Sequence, residues 1–453
     1  MRRTVLASFA LWASACALSL PATDPAGQSP TATPRSSITA SPTRTPALAP
    51  SSTPEPTATR TPRPTNTPFP LVAFSDQPAE ISYQVPLTVQ KLTPFEATIH
   101  FELDRPAPGW LLYRPVLDEE QGWWAIPLAE GETVYQMPLV GLTPGTRYAV
   151  QVGIGEALET LRAPRLFGAK WGPVRFAAPA LGEPELRFGV VGDSGFGDDK
   201  TRALIELMDG YDLDFVLHTG DSVYKIYEES SPAEAFAKKY FSMFAPLLLQ
   251  APIFPVLGNH DFDLPALADG RPYFVRAFPA LADPSVPSSA LGTWYSFERS
   301  GIQFIMLDSA AFHGSGGRGE QTAWLEERLA DPSFRFSIPV FHTPPYTSGL
   351  HRGDGNALRL DWSELFEAAG VPLVFSGHDH NYERIERDGL TYVVSGGGSP
   401  VLYRKTQPVG GSQQFNARMH FVLVEISDVR LSLTAIDLDG KVLDRAIIPT
   451  RPG

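Results

Sequence analysis

The sequence predicts an all-β sandwich followed by a larger α/β domain. Between residues 71 and 180, short runs alternate apolar and polar residues with period two, which is typical of half-buried strands. From residue 184 onward, strand-like runs alternate with segments of helical period, which is the pattern of α/β domains. The preceding residues are too rich in Pro, Thr and Ser to form a core, so the folded part is expected to begin near residue 71.

Length and charge limit the class of protein. The chain has 453 residues and a formal net charge of −13 at pH 7. At roughly 150 residues per domain, this length allows two or three domains. The negative charge argues against nucleic acid as a partner, because phosphate backbones would be repelled. Cys16 is the only cysteine, so a disulfide framework and a thiolate zinc site are excluded, and any metal must be held by His, Asp, Asn, Glu or Tyr.

Residues 1–20 have the order of a secretory signal peptide. Arg2 and Arg3 precede an uncharged, largely apolar run over residues 4–20. This run is short for a membrane span, which usually needs about 20 residues, so we expect an exported protein rather than an uncleaved anchor. Residues 12–16 also resemble a bacterial lipoprotein signal, with small residues before Cys16. We therefore expect membrane attachment through lipidated Cys16, the alternative being an unmodified cysteine.

Residues 21–70 are predicted to be a disordered linker. Pro, Thr and Ser dominate this segment, including the run Pro54-Glu55-Pro56-Thr57. Such a composition cannot bury a core, and dense proline favours extended polyproline II. We interpret the segment as a spacer between a surface and the folded domains. The alternative is a disordered tail whose length has no role.

The predicted sandwich occupies residues 71–180. Alternating runs cover residues 96–103, 109–113 and 148–152, with turn residues between them and no helical period. The segment 142–148 has the sequence Leu-Thr-Pro-Gly-Thr-Arg-Tyr and resembles the tyrosine corner of fibronectin type III domains. This resemblance implies that the hydroxyl of Tyr148 binds upstream backbone.

The predicted α/β domain occupies residues 184–453. Strand-like runs cover residues 186–191, 215–217, 302–307 and 373–375. Ser231, Pro232 and Glu234 form a capping box with proline at the first helical position, which predicts a helix there. Residues 320–329 have helical spacing. Later runs at 421–426, 431–436 and 442–448 predict a closing antiparallel meander.

Five polar clusters follow apolar strands of this domain, where α/β sheets present their ligands. They are residues 192–195 (Gly-Asp-Ser-Gly), 220–224 (Gly-Asp-Ser-Val-Tyr), 258–261 (Gly-Asn-His-Asp), 341–342 (Phe-His) and 377–380 (Gly-His-Asp-His). Each cluster alone is a weak signal. All five in this order indicate one site, because coincidence would require five independent accidents.

The residue types in these clusters suit a pair of metal ions. Two cations about 3.5 to 4 Å apart need an anionic bridge, and the Asp221 carboxylate can give one oxygen to each. The other donors divide by charge. Asp193, Tyr224 and His380 form an anionic set that suits Fe(III). Asn259, His342 and His378 form a neutral set that suits divalent Fe, Zn or Mn.

In order and spacing, the clusters resemble the purple acid phosphatases, a branch of the calcineurin-like metallophosphoesterases. The run 377–384, Gly-His-Asp-His-Asn-Tyr-Glu-Arg, is especially close to the family pattern. Most relatives outside the purple branch have a His where Gly195 stands and lack a tyrosine equivalent to Tyr224. The resemblance covers most of residues 184–440. It implies two mixed β-sheets flanked by helices and the same two ligand sets, and the sandwich resembles the amino-terminal domain of larger members.

Two histidines outside the ligand sets are predicted to act on the substrate. His260 follows Asn259 directly, and His351 lies in a glycine-rich loop after His342. The resemblance implies that histidines so placed hold phosphate oxygens and protonate the leaving group. An exposed loop imidazole is the alternative for His351. Asp261 and Asp379 are expected either to orient imidazoles or to lie on the surface.

Together these features predict an exported, extracytoplasmic acid phosphatase, either secreted or a cell-surface lipoprotein of a bacterium. The resemblance implies hydrolysis of phosphate monoesters by attack of a metal-bound hydroxide, with a small phosphorylated substrate and no nucleic acid partner. A phosphodiesterase or nucleotide pyrophosphatase on the same site is one alternative, because substrate choice lies in the loops. A catalytically inactive surface adhesion module is another, against which the complete ligand set argues.

Overall fold

The computed structural model describes residues 72–117, 122–166, 169–183, 185–225, 228–263, 267, 271–286, 292–310 and 318–450. The predicted signal peptide with Cys16 and the predicted linker 21–70 lie outside these residues. Within the described ranges, no helix has the length and apolar character needed to cross a membrane.

The first folded part consists of strands. Two antiparallel sheets, with strand orders β1-β2-β5 and β4-β3-β6-β9, carry the main core of this part, and β7 pairs with β8. The prediction of an all-β sandwich is therefore confirmed. The strands are β1 Tyr83–Leu92, β2 Glu96–Leu103, β3 Gly109–Pro115, β4 Trp124–Pro127, β5 Val134–Val140, β6 Arg147–Ile154, β7 Arg165–Leu166, β8 Ala169–Lys170 and β9 Val174–Ala177, with a 3₁₀ turn at Leu158–Thr160.

The predicted tyrosine corner is present at the start of β6. The backbone N–H of Thr143 donates a hydrogen bond to the Tyr148 hydroxyl oxygen over 2.9 Å. The ring of Tyr148 is buried and stacks on Phe176 with a centroid distance of 5.8 Å. One side chain thus fixes the loop before β6 and also contributes to the core.

The second folded part is α/β, as predicted. A six-stranded sheet has the order β12-β11-β10-β20-β21-β22, and a seven-stranded sheet has the order β13-β14-β15-β16-β18-β17-β19. The strands are β10 Leu186–Val191, β11 Phe215–His218, β12 Ile253–Pro255, β13 Tyr295–Arg299, β14 Ile302–Met306, β15 Phe336–Val340, β16 Leu373–Ser376, β17 Tyr382–Arg387, β18 Leu390–Ser395, β19 Ser412–Asn416, β20 His420–Ile426, β21 Leu431–Asp437 and β22 Val442–Ile448.

Helices accompany both sheets, which are mixed because parallel and antiparallel pairs occur in each. Ser231 caps the predicted helix by accepting the backbone N–H of Glu234, but the Glu234 carboxylate accepts from Ser230 rather than from Ser231, so the reciprocal half of the predicted capping box is absent among the described contacts. The helix is short and continues as a π-helical turn, Ala237–Phe241. The helices are α1 Asp199–Asp209, α2 Pro232–Phe236, α3 Ala245–Leu248, α4 Tyr273–Ala277, α5 Arg318–Leu329, α6 Asn356–Asp361 and α7 Ser363–Ala368, with 3₁₀ turns at Asn259–Phe262 and Pro279–Leu281.

Aromatic side chains join the two mixed sheets. Phe188 and Phe215 of the six-stranded sheet meet the Phe304 ring of the seven-stranded sheet at centroid distances of 5.4 and 5.2 Å. Phe254 stacks on Phe297 across the same interface at 3.9 Å. Burying rings of this size stabilises the contact through the apolar area removed from water. The sheets therefore hold their strand ends in fixed positions.

Those strand ends position the predicted ligands. Strands β10, β11 and β12 are parallel, and Asp193, Asp221 and Asn259 follow their carboxyl ends. Strands β15 and β16 are also parallel, and His342 and His378 follow them directly. Parallel strands present their carboxyl ends at one edge of a sheet. The fold therefore brings sequence-distant clusters to neighbouring strand ends.

The sandwich is anchored to the α/β part by side-chain hydrogen bonds. Both carboxylate oxygens of Glu102 on β2 accept hydrogen bonds from the Arg276 guanidinium of α4, the shortest at 2.7 Å. The amide of Gln90 on β1 donates to the carbonyl oxygen of Ala277 at 2.7 Å and accepts from the N–H of Ala280 at 3.1 Å. These contacts fix the segment that follows the Asn259 cluster.

Candidate metal centre

The predicted anionic donors lie together. The Tyr224 hydroxyl is 3.1 Å from an Asp193 carboxylate oxygen and 3.0 Å from Nε2 of His380. The same nitrogen lies 3.5 Å from the Asp193 carboxylate. All three side chains are buried. The structure thus places two oxygens and one nitrogen around one point, as predicted for the first metal.

The predicted neutral donors form a second group beside it. Nε2 of His342 is 3.0 Å from the amide oxygen of Asn259 and 3.2 Å from Nδ1 of His378. It is also 3.4 Å from an Asp221 carboxylate oxygen. Asp221, His342 and His378 meet the distance requirement for a shared metal ion. The seven residues predicted as ligands therefore form two adjoining groups, and their role as ligands stays a prediction.

Asp221 faces both groups. Its Oδ2 lies near Nε2 of His342, and its Oδ1 accepts the backbone N–H of His260 at 2.9 Å. On the side of the first group, burial, the charge of Asp193 and the charge of this carboxylate together raise the pKa of the Tyr224 hydroxyl. A side chain in this position can give one oxygen to each of two cations, which is the geometry that a bridging ligand requires.

The hydrogen bonds of the three imidazoles leave one nitrogen of each for a metal. Nδ1 of His342 donates to the carbonyl oxygen of Thr219 at 2.8 Å, and Nδ1 of His380 donates to that of Val401 at 2.6 Å. Nε2 of His378 lies 3.0 Å from the carboxylate of Asp354. An oxygen acceptor at one ring nitrogen leaves the lone pair on the other. The free nitrogens face the two donor groups, so these side chains fit a pair of metal ions.

The electrostatics of the site also favour bound cations. Within the described part of the chain, the ion pairs of Asp193 and Asp221 are made only with histidines. Burial alone would lower the pKa of His342, but the Asp221 carboxylate, the charge of Asp193 and the hydrogen bond to Thr219 together outweigh burial and raise the pKa to about 9. Burial and the charge on His342 lower the pKa of His378 to about 4. The raised pKa of His342 indicates that the buried carboxylates favour positive charge at this point, and a metal cation can supply that charge.

Backbone conformation marks the same residues. Asp193, Asp221 and His378 have φ angles of 59°, 55° and 67°, in the left-handed region that non-glycine residues rarely adopt. Such conformations are costly and concentrate at functional sites. They show that the site is held in place by the surrounding fold.

The glycines that begin the clusters have a steric explanation. A Cβ atom on Gly258 would lie 2.1 Å from a carboxylate oxygen of Asp221, and one on Gly377 would lie 2.6 Å from a carboxylate oxygen of Asp193. Any side chain there would collide with a predicted ligand. The Gly-Asn-His and Gly-His-Asp-His patterns in the sequence therefore follow from the close packing of the site.

His260 and His351 lie at the rim of the donor groups. The His260 side chain is 40% exposed, its Nδ1 is 2.6 Å from the Asp263 carboxylate, and its ring lies 4.7 Å from that of Tyr224. The His351 ring lies 4.2 Å from that of His378. Each imidazole is accessible and keeps Nε2 available for a substrate oxygen. Their catalytic roles remain predictions.

Asp261 and Asp379 differ from expectation. Both are fully buried, so the surface alternative is wrong. Asp261 accepts the backbone N–H groups of Gly258 and Ser222 at 2.8 and 3.0 Å, rather than an imidazole. Burial, followed by the charge of Asp221, raises the pKa of Asp261 to about 8. Buried backbone N–H groups near the predicted ligands need acceptors, and the Asp261 carboxylate is buried because it supplies them.

Asp379 holds the loop that carries His351. Its carboxylate accepts the hydroxyl of Thr347 at 2.6 Å and the backbone N–H groups of Leu350 and His351 at 2.9 and 3.2 Å. Buried Glu383 accepts the backbone N–H and the hydroxyl of Ser348. The segment that supplies His378 and His380 thus also fixes the loop of His351.

Three residues of the site were not anticipated from the sequence. Asp354 contacts both His351 and His378, Glu383 fixes the loop, and the Tyr403 ring stacks on His380 at a centroid distance of 4.3 Å. Glu383 falls within the run 377–384 that resembles the family pattern, but no role was expected of it there. For Asp354 the sequence signal is proximity, since it follows His351 by three residues.

The chain is similar to known phosphoesterases. Residues 186–382 match the family model of calcineurin-like phosphoesterases. Purple acid phosphatase 23 of Arabidopsis thaliana is 25% identical over 299 residues, which are 59% of this chain and 63% of that protein. Tartrate-resistant acid phosphatase type 5 of Rattus norvegicus is 24% identical over 267 residues, 53% of this chain and 80% of the relative. The chain thus spans less than two thirds of the plant relative.

A solved structure shares the fold. The purple acid phosphatase from yellow lupin, Lupinus luteus, superimposes with a TM-score of 0.62 over 80% of this chain and 73% of the lupin chain, at 17% sequence identity. At that identity the likeness supports the fold. The resemblance to purple acid phosphatases, including a strand-rich domain before the α/β part, is confirmed.

Proposed function

We propose that this protein, whose residues 186–382 match the calcineurin-like phosphoesterase model and which resembles purple acid phosphatases, is a binuclear-metal acid phosphatase that hydrolyses phosphate monoesters to orthophosphate and an alcohol. The observation that carries this proposal is the position of Asp221 between the two donor groups. Two cations bound there supply Lewis acidity for the phosphate and an activated water for hydrolysis.

The side chains at the rim complete the proposed chemistry. Asp263 engages Nδ1 of His260, so Nε2 is the nitrogen that can reach a phosphate oxygen. When the imidazole is protonated, Nε2–H can donate to the departing alkoxide and give it the proton it needs. His351 presents a second imidazole from the opposite loop, with its Nδ1 held by Asp354 at 3.0 Å.

Parallel assays test the reaction class. We expect purified protein to show a higher kcat/KM for a phosphate monoester than for a diester or for ATP, with orthophosphate as the product. A higher kcat/KM for the diester or for ATP would replace the proposal with a phosphodiesterase or a nucleotide pyrophosphatase. A metal-loaded protein that turns over none of the three would favour the adhesion module instead.

For the metals, we propose Fe(III) in the group of Asp193, Tyr224 and His380, and divalent Fe, Zn or Mn in the other. Burial and the neighbouring carboxylates raise the pKa of the Tyr224 hydroxyl well above its usual value. A strongly charged ion is therefore needed to hold this residue as a phenolate, which a trivalent cation can do.

This assignment predicts a coloured protein. Iron-loaded protein should show a visible charge-transfer band, because a phenolate bound to Fe(III) donates electron density to the metal. Tyr224→Phe keeps the ring but removes the oxygen, so the band should disappear while iron is retained. The measurement is a visible spectrum together with the iron content. An unchanged band in the variant would remove Tyr224 from the ligand set.

We also propose that the protein is exported and attached to a membrane through lipidated Cys16. Cys16→Ser should release the protein from the membrane fraction or leave its signal unprocessed, since the chain has no other thiol. Phosphatase activity should be unchanged. Fractionation and intact mass of the variant are the measurements, and a correctly cleaved variant that still sediments with membranes would contradict attachment through Cys16.

A further inference from the structure

Asp354 contacts two histidines with a single carboxylate oxygen. Oδ2 of Asp354 lies 3.0 Å from Nδ1 of His351 and 3.0 Å from Nε2 of His378. One of these rings belongs to the predicted metal centre and the other to its rim. The carboxylate therefore connects the two parts of the site.

The contact with His378 determines which nitrogen can bind a metal. A carboxylate acceptor at Nε2 keeps the proton on that nitrogen, which leaves a lone pair on Nδ1. Nδ1 is the atom that faces His342, at 3.2 Å from its Nε2. Without Asp354, the proton could reside on either nitrogen and the ring could rotate. Asp354 thus prepares His378 for the second metal.

The contact with His351 orients the second imidazole in the same way. Nδ1 is engaged by Asp354, so Nε2 is the nitrogen left for a substrate oxygen. The ring packs between those of His378 and Tyr403, at centroid distances of 4.2 and 5.4 Å. Ring packing does not distinguish the two ring nitrogens, so among the described contacts the hydrogen bond to Asp354 is what sets which nitrogen faces outward.

The backbone around Asp354 is held tightly enough for this task. The N–H of Asp354 donates to the carbonyl oxygen of His351 at 3.1 Å, which closes a turn between them. A Cβ atom on the next residue, Gly355, would lie 1.9 Å from the carbonyl oxygen of Pro344. Only glycine allows this close approach. The turn is therefore fixed against the segment that follows His342.

We propose that Asp354 is a positioning residue that couples the second metal site to the substrate-binding histidine. Through His378 it strengthens metal binding, and through His351 it raises turnover. The inference rests on the proposed function for its second half, whereas the first half concerns metal binding alone. A plain surface ion pair would do neither.

The experiment compares Asp354→Ala, Asp354→Asn, His351→Ala and the Asp354→Ala/His351→Ala double variant in full-length protein. Asp428→Ala is the matched control, since Asp428 is 74% exposed and pairs only loosely with Arg335, at 3.9 Å. Metal retention is measured against graded chelator, and kcat is measured with saturating metal on a phosphate monoester. Asp354→Asn keeps the shape and one acceptor oxygen, so it remains informative if the alanine variant does not fold.

We expect Asp354→Ala to lose the second metal ion at about 10- to 100-fold lower chelator concentration, the usual effect of removing a partner of a ligating histidine. His351→Ala should retain both ions. Asp354→Ala should also lower kcat relative to wild type. The same substitution should lower kcat by a smaller factor when it is added to His351→Ala, because part of its effect acts through the His351 ring. Asp354→Asn should lie between wild type and Asp354→Ala.

Unchanged metal retention in Asp354→Ala would overturn the proposal, as would a kcat loss of the same factor with and without His351. If wild-type protein hydrolysed no ester, the proposed function would fail separately. The chelator measurement would then still decide whether Asp354 supports His378.

Discussion

Asp221→Ala is expected to abolish phosphate release from monoesters and to leave fewer than two metal ions per chain. The Asp221 carboxylate lies beside His342 of one donor group, and its charge also acts on Tyr224 of the other. Removing it takes one oxygen from each group and leaves His342 without its anionic neighbour. Two-metal chemistry requires both ions in the site, so the variant should lose the second bound ion and the phosphatase activity together.

Metal content by mass spectrometry and release of inorganic phosphate are the measurements. Asp212→Ala is a matched control, because Asp212 also has a left-handed backbone, with φ of 48°, but its side chain is exposed and pairs with Arg147 at 3.3 Å. Both variants therefore place alanine at an unfavourable φ. Retention of two ions per chain by Asp221→Ala would refute the bridging assignment.

His260→Ala is expected to keep both metal ions and to lower kcat by about 10²- to 10⁴-fold, the range for a lost acid–base partner. The His260 imidazole hydrogen-bonds to Asp263 and packs on the Tyr224 ring without a hydrogen bond to it, and the contact with Asp221 is made by the backbone N–H. Truncating the ring therefore leaves the ligand groups intact. It removes the imidazole that is proposed to protonate the leaving group.

Two further measurements separate this role from a structural one. Asp263→Asn should reduce kcat less than His260→Ala, because it removes only the orienting partner of Nδ1. A leaving group that needs no proton, such as a nitrophenolate, should lessen the effect of His260→Ala relative to an alkyl phosphate. Loss of metal from His260→Ala would instead place this residue among the ligands.

The sequence was sufficient for the architecture where the hydrophobic pattern was regular. The run 96–103 became β2, and the runs predicted for the closing meander became β20, β21 and β22 with shifts of at most a residue or two at their ends. Period-two alternation and buried apolar runs report directly on which face of a strand meets the core. The short α2 and its π-helical continuation were less predictable, because packing against neighbours sets where such helices end.

The candidate ligands were predictable because each follows a strand and most follow a glycine. The structure gives the reason, since Gly258 and Gly377 leave no room for a side chain beside Asp221 and Asp193. The partners of those ligands were not predictable. Thr219 and Val401 contribute backbone carbonyl oxygens, which every residue possesses. Their involvement is decided by tertiary packing and leaves no trace in residue type.

Carboxylates near the site illustrate the same limit. Asp261 and Asp379 stand beside histidines in the sequence, which made an orienting role one of two expectations for each, the other being a surface position. In the fold, their oxygens satisfy buried backbone N–H groups, whereas Asp354 from a different loop orients the imidazoles. Sequence adjacency to a ligand does not predict contact with it, because successive side chains after a strand point in different directions.

The most direct test of the account is a metal titration of the wild-type protein. Protein stripped with chelator is reloaded in steps, and bound metal per chain and phosphate release from a monoester are measured at each step. We expect metal-free protein to release negligible phosphate, and phosphate release to appear as the second ion binds. Full activity with one ion or none would contradict the claim that these residues form a binuclear centre for phosphate ester hydrolysis.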